Sequence, residues 1–347
     1  MHNKLRWWQC IQGPAFVVIA TVLVGSQAHI AKAQDIGTIL KKPAISAVDR
    51  GVLETELGQR VKRLFGNAAA LTATDARTKL VQPTKEKDVT KAGLDAYADV
   101  LAGELDRYVG QPEFNQALVA TLVLKELESV KTVDSLVTAL KSPHRAVRFA
   151  AVQGLQALRP RFKDDETVAG SVLTALGKAG ADEKDEQVLR RVYETLNFKT
   201  VAAEFKFNDQ AAAALSEIFA ARLRQLAGGM RDEYRDEEGY AAAASCYPGA
   251  SPARQAALIG ALYGFLRISL DHYFDSDVPP EAVPVVIRRI QRLEKAIGDM
   301  ISASKGTPPR SIAERLKSGD RQKQEKEARA GLEELHGILK GEPWKLP

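Results

Sequence analysis

Apolar residues recur along most of the chain at the three- and four-residue spacing that places them on one face of a helix. Residues 49–66 show this spacing clearly, and further helical patterns follow one another from Leu94 onward with short breaks. No window alternates apolar and polar residues for long enough to predict a β-strand. The pattern therefore predicts an all-α fold of amphipathic helices in close succession.

The middle of the chain repeats one pattern. Residues 104–127 align without a gap with residues 135–158 at an offset of 31, so that Pro112 matches Pro143. A third unit begins at residue 171 and has a longer loop before its second half. Each unit reads as two helices that form a hairpin, and such a hairpin buries its apolar face only by stacking on its neighbours.

A short break divides the unit at residues 135–158. A first helix is predicted to end near Leu140, and the next helix is predicted to start at Ser142 and Pro143. Serine caps helix N-termini, and proline fits the first turn because its missing N–H has no partner there. We therefore expect the second helix to begin at this pair.

This unit resembles the HEAT-repeat family, most closely its short-period bacterial form. The residues that carry the resemblance are Leu136, Leu140, Pro143, Val147, Arg148, Ala150, Ala151 and Leu155. The family pattern usually has an acidic residue beside the proline, where this chain has Ser142 and His144. The resemblance implies an α-solenoid of helical hairpins over residues 93–205.

The segments on either side of these repeats differ from them in pattern. Residues 34–92 contain a leader and N-terminal helices, and residues 206–301 predict a less regular helical bundle that continues the solenoid. Residues 302–347 form a Ser/Gly/Pro linker followed by a charged C-terminal helix.

Residues 1–33 have the three-part pattern of a secretory signal peptide. Lys4 and Arg6 precede an apolar run at residues 15–24, and a small-x-small triplet ends at Ala33. The apolar run is too short for a permanent membrane span, which needs about 20 residues. We expect cleavage near Ala33, a periplasmic or secreted protein, and no stable membrane span afterwards. The alternative is an uncleaved N-terminal anchor.

Cleavage changes the meaning of the composition. The 49 lysines and arginines fall to 46 against 44 acidic residues, so the net charge falls from +5 to +2. A balance this small does not predict nucleic-acid binding, which needs a clustered excess of positive charge. Cys10 leaves with the signal, and Cys246 then has no partner for an internal disulfide.

Catalytic and cofactor signatures are missing from the sequence. It contains no HExxH, phosphate loop, GxGxxG, GxSxG or CxxC. We therefore predict a non-catalytic protein without a cofactor. The alternative is an enzyme or metal protein with a site around Cys246 and residues 271–277. Carboxylate and imidazole groups there have the chemistry of a divalent-ion site, and the candidate ligands are Asp271, His272, Asp275 and Asp277.

The HEAT-repeat resemblance also implies a function. Solenoids of this family offer a long surface to protein partners, and here the second helices within residues 113–196 would form it. The resemblance therefore predicts an interaction scaffold, whose exposed candidates are Glu113, Asn115, His144, Arg145, Arg148, Arg190 and Arg191. Arg148 has a second interpretation, as a bond between repeats.

Overall fold

Every regular element of the described chain is a helix. A computed structural model describes residues 35–198, 206–228, 236–275, 278–317 and 320–346, and it contains no strand within them. The all-α prediction is confirmed for that part of the chain. The predicted signal peptide and Asp277 lie outside the described residues.

Helices follow one another with short connections. The α-helices are α1 (Ile36–Leu40), α2 (Ala47–Phe65), α3 (Ala73–Ala76), α4 (Lys91–Val109), α5 (Phe114–Leu127), α6 (Val133–Ala139), α7 (Arg145–Ala157), α8 (Glu166–Asp182), α9 (Glu186–Leu196), α10 (Asn208–Ala227), α11 (Glu237–Cys246), α12 (Pro252–Phe274), α13 (Val283–Ala303), α14 (Ile312–Arg315) and α15 (Arg321–Lys340). A π-helical turn occupies Arg77–Val81, and 3₁₀ turns occupy Gln82–Lys85, Val130–Thr132, Arg159–Asp164 and Tyr247–Gly249.

Polar side chains fix several helix starts. Ser46 and Asp49 form a capping box at α2, in which each side chain accepts a hydrogen bond of 3.1 Å from the other's backbone N–H. Asp165 caps α8 by accepting from the N–H of Val168 at 3.0 Å. Carboxylates at these positions also favour the positive end of the helix dipole.

The start of α7 differs from the expectation for Ser142 and Pro143. The N-cap is His144, and the helix begins at Arg145, two residues after the proline. Ser142 accepts from the N–H of His144 at 3.2 Å, so its hydroxyl stabilises the turn before the helix. The carbonyl groups of Ser142 and Pro143 both accept from Arg148, which holds this turn against the helix that follows.

The helices from α4 onward pack in two rows. Even-numbered helices from α4 to α12 each contact the next even-numbered helix, and odd-numbered helices from α5 to α13 do the same. Each even-numbered helix also contacts the odd-numbered helix that follows it. The predicted boundary at residue 205 does not interrupt these contacts, because α8 packs on α10 and α9 packs on α11.

One face of α8 lies very close to α10. A Cβ atom on Gly177 would lie 2.9 Å from the Cα atom of Ala214, so only glycine permits this approach. The same face of α8 buries Val172, Leu173 and Leu176. The opposite face of α8 is therefore turned away from α10.

Helix α12, with 23 residues, is the longest helix of the described chain. Its buried residues face α10 and α13, and they are Leu258, Ile259, Leu262, Phe265, Leu266, Ser269 and Leu270. Among the helices that the structure describes, none combines the length and the apolar character that a membrane crossing requires.

A distant contact ties the C-terminal segment to the 3₁₀ turn that follows α11. The indole Nε1 of Trp344 donates to the hydroxyl of Tyr247, which also hydrogen-bonds Ser304 Oγ at 2.8 Å. Trp344 is buried although it follows the last helix, α15.

Candidate functional site

An open groove lies between α6 and α8. Helix α6 has 7 residues, whereas α4 has 19 and α8 has 17, so α6 covers only part of the face that α8 turns away from α10. The groove has a volume of about 1040 Å³. Its lining residues are Val137, Leu140, Lys141, Pro143, Arg148, Gly170, Ser171, Thr174, Ala175, Lys178, Ala179, Asp182, Glu183 and Lys184.

The α8 wall of the groove consists mostly of small side chains. Seven of its residues recur at helical spacing along one stripe, and they are Gly170, Ser171, Thr174, Ala175, Lys178, Ala179 and Asp182. A Cβ atom on Gly170 would meet no heavy atom within 4 Å. The partly buried alanines and Val137 provide an apolar floor, so the groove offers both close approach and apolar contact.

Lysines stand around this apolar floor. Lys141, Lys178 and Lys184 are exposed, as is Asp182. Lys141 and Lys178 form no ion pair with any residue in the described part of the chain. Arg148 and Glu183 pair with each other at one end, so the exposed rim carries an excess of positive charge.

The Arg148–Glu183 pair links two consecutive hairpins. Arg148 donates from Nε and Nη2 to the two carboxylate oxygens of Glu183, each at 2.8 Å. Glu183 also accepts from the backbone N–H groups of Lys184 and Asp185, at 2.9 and 2.8 Å. The hydrogen bonds from Arg148 to the Glu183 carboxylate raise the pKa of Arg148 above its usual value. Such a bidentate geometry is strong and directional, and it joins Arg148 of α7 to the residue that follows α8.

Two predicted partner-binding residues hold turns of the preceding hairpin. Asn115 donates from Nδ2 to the carbonyls of Ala68 and Leu71, at 2.7 and 2.9 Å. His144 Nε2 lies 2.8 Å from the carbonyl oxygen of Pro112, and its ring meets Phe114 edge-on at 5.2 Å. Glu113, the N-cap of α5, is exposed and makes no side-chain capping bond.

The three remaining predicted arginines bind neighbouring odd-numbered helices. Arg145 pairs with Asp185 at 3.1 Å, at the start of α9. Arg190 pairs with Glu238 of α11 at 3.2 Å. Arg191 donates to Gln156 of α7 at 3.3 Å. Six of the seven predicted residues therefore bind within the chain, and Glu113 is the exception among the described residues.

Three of the four predicted metal ligands, Asp271, His272 and Asp275, are described, and they do not form a metal site among themselves. Asp271 pairs with Arg329 of α15 at 3.1 Å, and the backbone carbonyl of Asp275 accepts from Arg321 at 2.9 Å. His272 lies on α12, and Asp277 falls outside the described residues. Within residues that the structure describes, no group of three or more His, Cys, Asp or Glu side chains is placed to hold a metal ion.

Cys246 is a fully buried thiol. Its Sγ donates to the carbonyl of Leu196 at 3.4 Å, and Ser245 Oγ lies 3.8 Å away. Burial raises the pKa of this thiol from 9.0 to about 11. The thiolate is the nucleophilic form of cysteine, so Cys246 is protonated and unreactive at neutral pH.

A polar centre that the sequence interpretation missed is buried where α9 to α13 meet. Arg222 is 1% exposed and Asp236 is 0% exposed, and the guanidinium Nε lies 3.1 and 3.2 Å from the two carboxylate oxygens. Tyr193 donates to the same carboxylate at 2.6 Å. Arg289, 0% exposed, donates to the hydroxyl of Tyr240 at 3.3 Å.

A signal for this centre does exist in the sequence. Arg222 continues the apolar spacing of Leu215, Ile218 and Phe219, and Arg289 stands beside Ile290 on the apolar face of α13. A charge on such a face requires a buried partner. The sequence did not identify Asp236 as this partner, because it lies 14 residues from Arg222 along the chain.

Both tyrosines of the buried centre stay protonated. Burial raises the pKa of Tyr193 well above 10.0, and the neighbouring Asp236 carboxylate raises it further. Burial likewise raises the pKa of Tyr240. Their hydroxyls therefore act as hydrogen-bond donors and acceptors at neutral pH.

No protein-family model matches the chain, and no curated protein resembles it significantly in sequence. The likeness to HEAT repeats therefore rests on the pattern of residues 104–196.

Proposed function

We propose that the protein is an exported, non-catalytic scaffold of HEAT-like hairpins, and that a protein partner binds in the groove between α6 and α8. The observation that carries this proposal is the groove itself. It is open, has an apolar floor, and carries the exposed Lys141 and Lys178, which make no ion pair with described residues. Such a combination is typical of a recognition surface.

The two rows of helices support the α-solenoid part of the proposal. Contacts between each helix and the helix two places further along are what stacked hairpins produce. The Arg148–Glu183 bond, which joins one hairpin to the next, supports it as well.

The proposed binding surface differs from the one that the resemblance implies. The resemblance points to the second helices, but the side chains predicted there are mostly engaged with neighbouring helices. A partner would have to compete with those bonds. The groove on the even-numbered row needs no such rearrangement, so it is the better candidate.

Site-specific photo-crosslinking tests the proposal. A benzoylphenylalanine residue replaces Lys178 inside the groove or, as a matched control, the exposed Lys163 outside it. Irradiation in the native host is expected to give a discrete adduct from position 178 and none from position 163. Mass spectrometry then identifies the partner for purification.

Binding of the purified partner decides the role of the groove. Ala175→Gln with Ala179→Gln fills the groove without changing its charge, and calorimetry is expected to show at least about tenfold weaker binding. Unchanged affinity in this double variant, or no adduct at position 178, contradicts the proposal. The export part is tested separately by intact mass, which is expected to lack about 33 residues if the signal is cleaved.

A further inference from the structure

The shape of the groove indicates what kind of chain segment occupies it. In the even-numbered row, α8 packs closely on α10 but only lightly on α6, because α6 has 7 residues. The uncovered face of α8 therefore lies where a longer neighbouring helix would pack. A helix is the secondary structure that completes this row.

The dimensions agree with a helical occupant. The groove follows α8 and its C-cap from Gly170 to Glu183, 14 residues, or about 20 Å at the rise of a helix. A helix of that length and about 10 Å diameter, sunk to half its depth, fills about 800 Å³. The groove holds about 1040 Å³, so its size is compatible with such a helix.

The chemistry of the walls disfavours an extended peptide. An added strand needs an exposed sheet edge with unpaired backbone N–H and C=O groups. Both walls here are helices whose backbone groups bond within the helix. The small side chains at Gly170, Ala175 and Ala179 instead allow a second helix to approach closely, at the 8–10 Å axis separation usual for packed helices.

The charges indicate the sign of the partner. Exposed Lys141, Lys178 and Lys184 outnumber the single exposed carboxylate, Asp182, while Arg148 and Glu183 neutralise each other. Complementary charge on a partner steers association and fixes its orientation. Acidic residues on the flanks of the occupant would meet these lysines.

Taking the proposed function as the premise, we propose that the groove between α6 and α8 binds an amphipathic helix of a partner protein, with apolar residues on its buried face and acidic residues on its flanks. The apolar face contacts Val137, Ala175 and Ala179. The acidic flanks pair with Lys141 and Lys178.

Two synthetic peptides of 14 residues test the proposal. Both carry the same helical face of leucine and alanine, and one has glutamates and the other lysines at the flanking positions. Fluorescence anisotropy with the purified full chain is expected to give micromolar binding for the acidic peptide and at least about tenfold weaker binding for the basic one. Raising the salt concentration is expected to weaken the binding of the acidic peptide and not that of the basic one.

Charge reversal in the groove sharpens the test. The triple variant Lys141→Glu, Lys178→Glu and Lys184→Glu is expected to reverse the peptide preference. The matched control is Lys79→Glu, Lys131→Glu and Lys163→Glu, three exposed lysines outside the groove, and it is expected to keep the preference. If the triple variant fails to fold by circular dichroism, the salt titration of the unmodified chain still decides.

Three results would overturn the acidic-helix proposal. The first is equal binding of both peptides or stronger binding of the basic one. The second is self-association of the chain that Ala175→Gln with Ala179→Gln abolishes, since the occupant is then a second copy. The third is a crosslinked partner that needs the open groove but contacts it through a non-helical or basic segment. That last result leaves the scaffold proposal intact and rejects only the inference about the occupant.

Discussion

Cationic side chains serve opposite purposes in two regions of this molecule. In the groove between α6 and α8, Lys141 and Lys178 stand in solvent around an apolar floor. In the buried centre between α9 and α13, Arg222 and Arg289 are enclosed by tyrosines and a carboxylate. Both regions lie in the same succession of packed helices.

The difference between the regions is one of solvation. An exposed charge keeps its water, so it contributes little to folding and is available to another molecule. A buried charge has lost its water and depends on every bond that replaces it. Stability should therefore respond strongly to substitutions in the buried centre and weakly to those in the groove, whereas binding should respond in the opposite way.

The largest effect is expected from Asp236→Ala. This substitution leaves the buried Arg222 guanidinium without its carboxylate, and loss of one partner of a buried pair costs about 3–5 kcal/mol. Urea unfolding followed by circular dichroism measures the change. As a control, Arg222→Met with Asp236→Leu removes both charges and should recover most of the loss. A change below about 1 kcal/mol for Asp236→Ala would show that the pair does not stabilise the fold.

Glycine-to-alanine substitutions compare the two regions with the same added methyl group. A Cβ atom on Gly239 would lie 2.8 Å from Tyr193 and 2.9 Å from Phe219, so Gly239→Ala should destabilise by about 1–3 kcal/mol. Gly170→Ala adds its Cβ in open space within α8 and should stabilise by up to about 1 kcal/mol. The midpoints of thermal unfolding should shift in opposite directions. If both variants shifted the unfolding midpoint in the same direction, the proposed difference between the buried centre and the groove would be contradicted.

Arg148 lies between these extremes, because it is partly exposed at one end of the groove. Arg148→Ala removes the bidentate bond to Glu183 and two bonds to carbonyls, for an expected loss of about 1–2 kcal/mol. Arg190→Ala, which removes an exposed ion pair with Glu238, is the matched control and should cost less than about 1 kcal/mol. Equal losses in urea unfolding would argue against a special role for the Arg148 bond.

The smallest effect concerns the pH dependence of stability. Burial holds the Cys246 thiol protonated, with its pKa raised from 9.0 to about 11. This contribution to stability is complete below pH 9 and decreases as the pH rises toward 11, because the unfolded chain ionises first. Between pH 8 and 9.5 the wild type should lose about 1 kcal/mol or less relative to Cys246→Ala. Parallel pH profiles for the two proteins would contradict this expectation.

Local features of the fold were readable from the sequence. The apolar spacing predicted helices, and it placed the end of the first helix of the second unit near Leu140, where α6 ends at Ala139. The predicted break after this helix is also present, although α7 begins at Arg145 and not at Ser142 and Pro143. Spacing records which face of a helix is apolar, and that information is local.

The groove between α6 and α8 could not be predicted from the sequence, because it depends on how much of the surface of one helix the other covers. The pattern shows that α6 is short and that α8 has a stripe of small residues, but not that these two features face each other. The predicted partner-binding arginines form ion pairs within the chain, and the sequence did not reveal this for a related reason. Exposure is visible in a helical pattern, but the acidic partner on the next hairpin, such as Asp185 for Arg145, is supplied by stacking.

The bond between Trp344 and Tyr247 has a consequence for the order of synthesis. The two residues are 97 positions apart, so a ribosome adding about 5–20 residues per second makes the tyrosine about 5–20 seconds before its indole partner. During that interval α11 and the turn that contains Tyr247 have been synthesised, but the indole that donates to the Tyr247 hydroxyl has not. A chain that ends before Trp344 lacks that donor, and its Tyr247 hydroxyl keeps only the bond to Ser304 of these two hydrogen bonds.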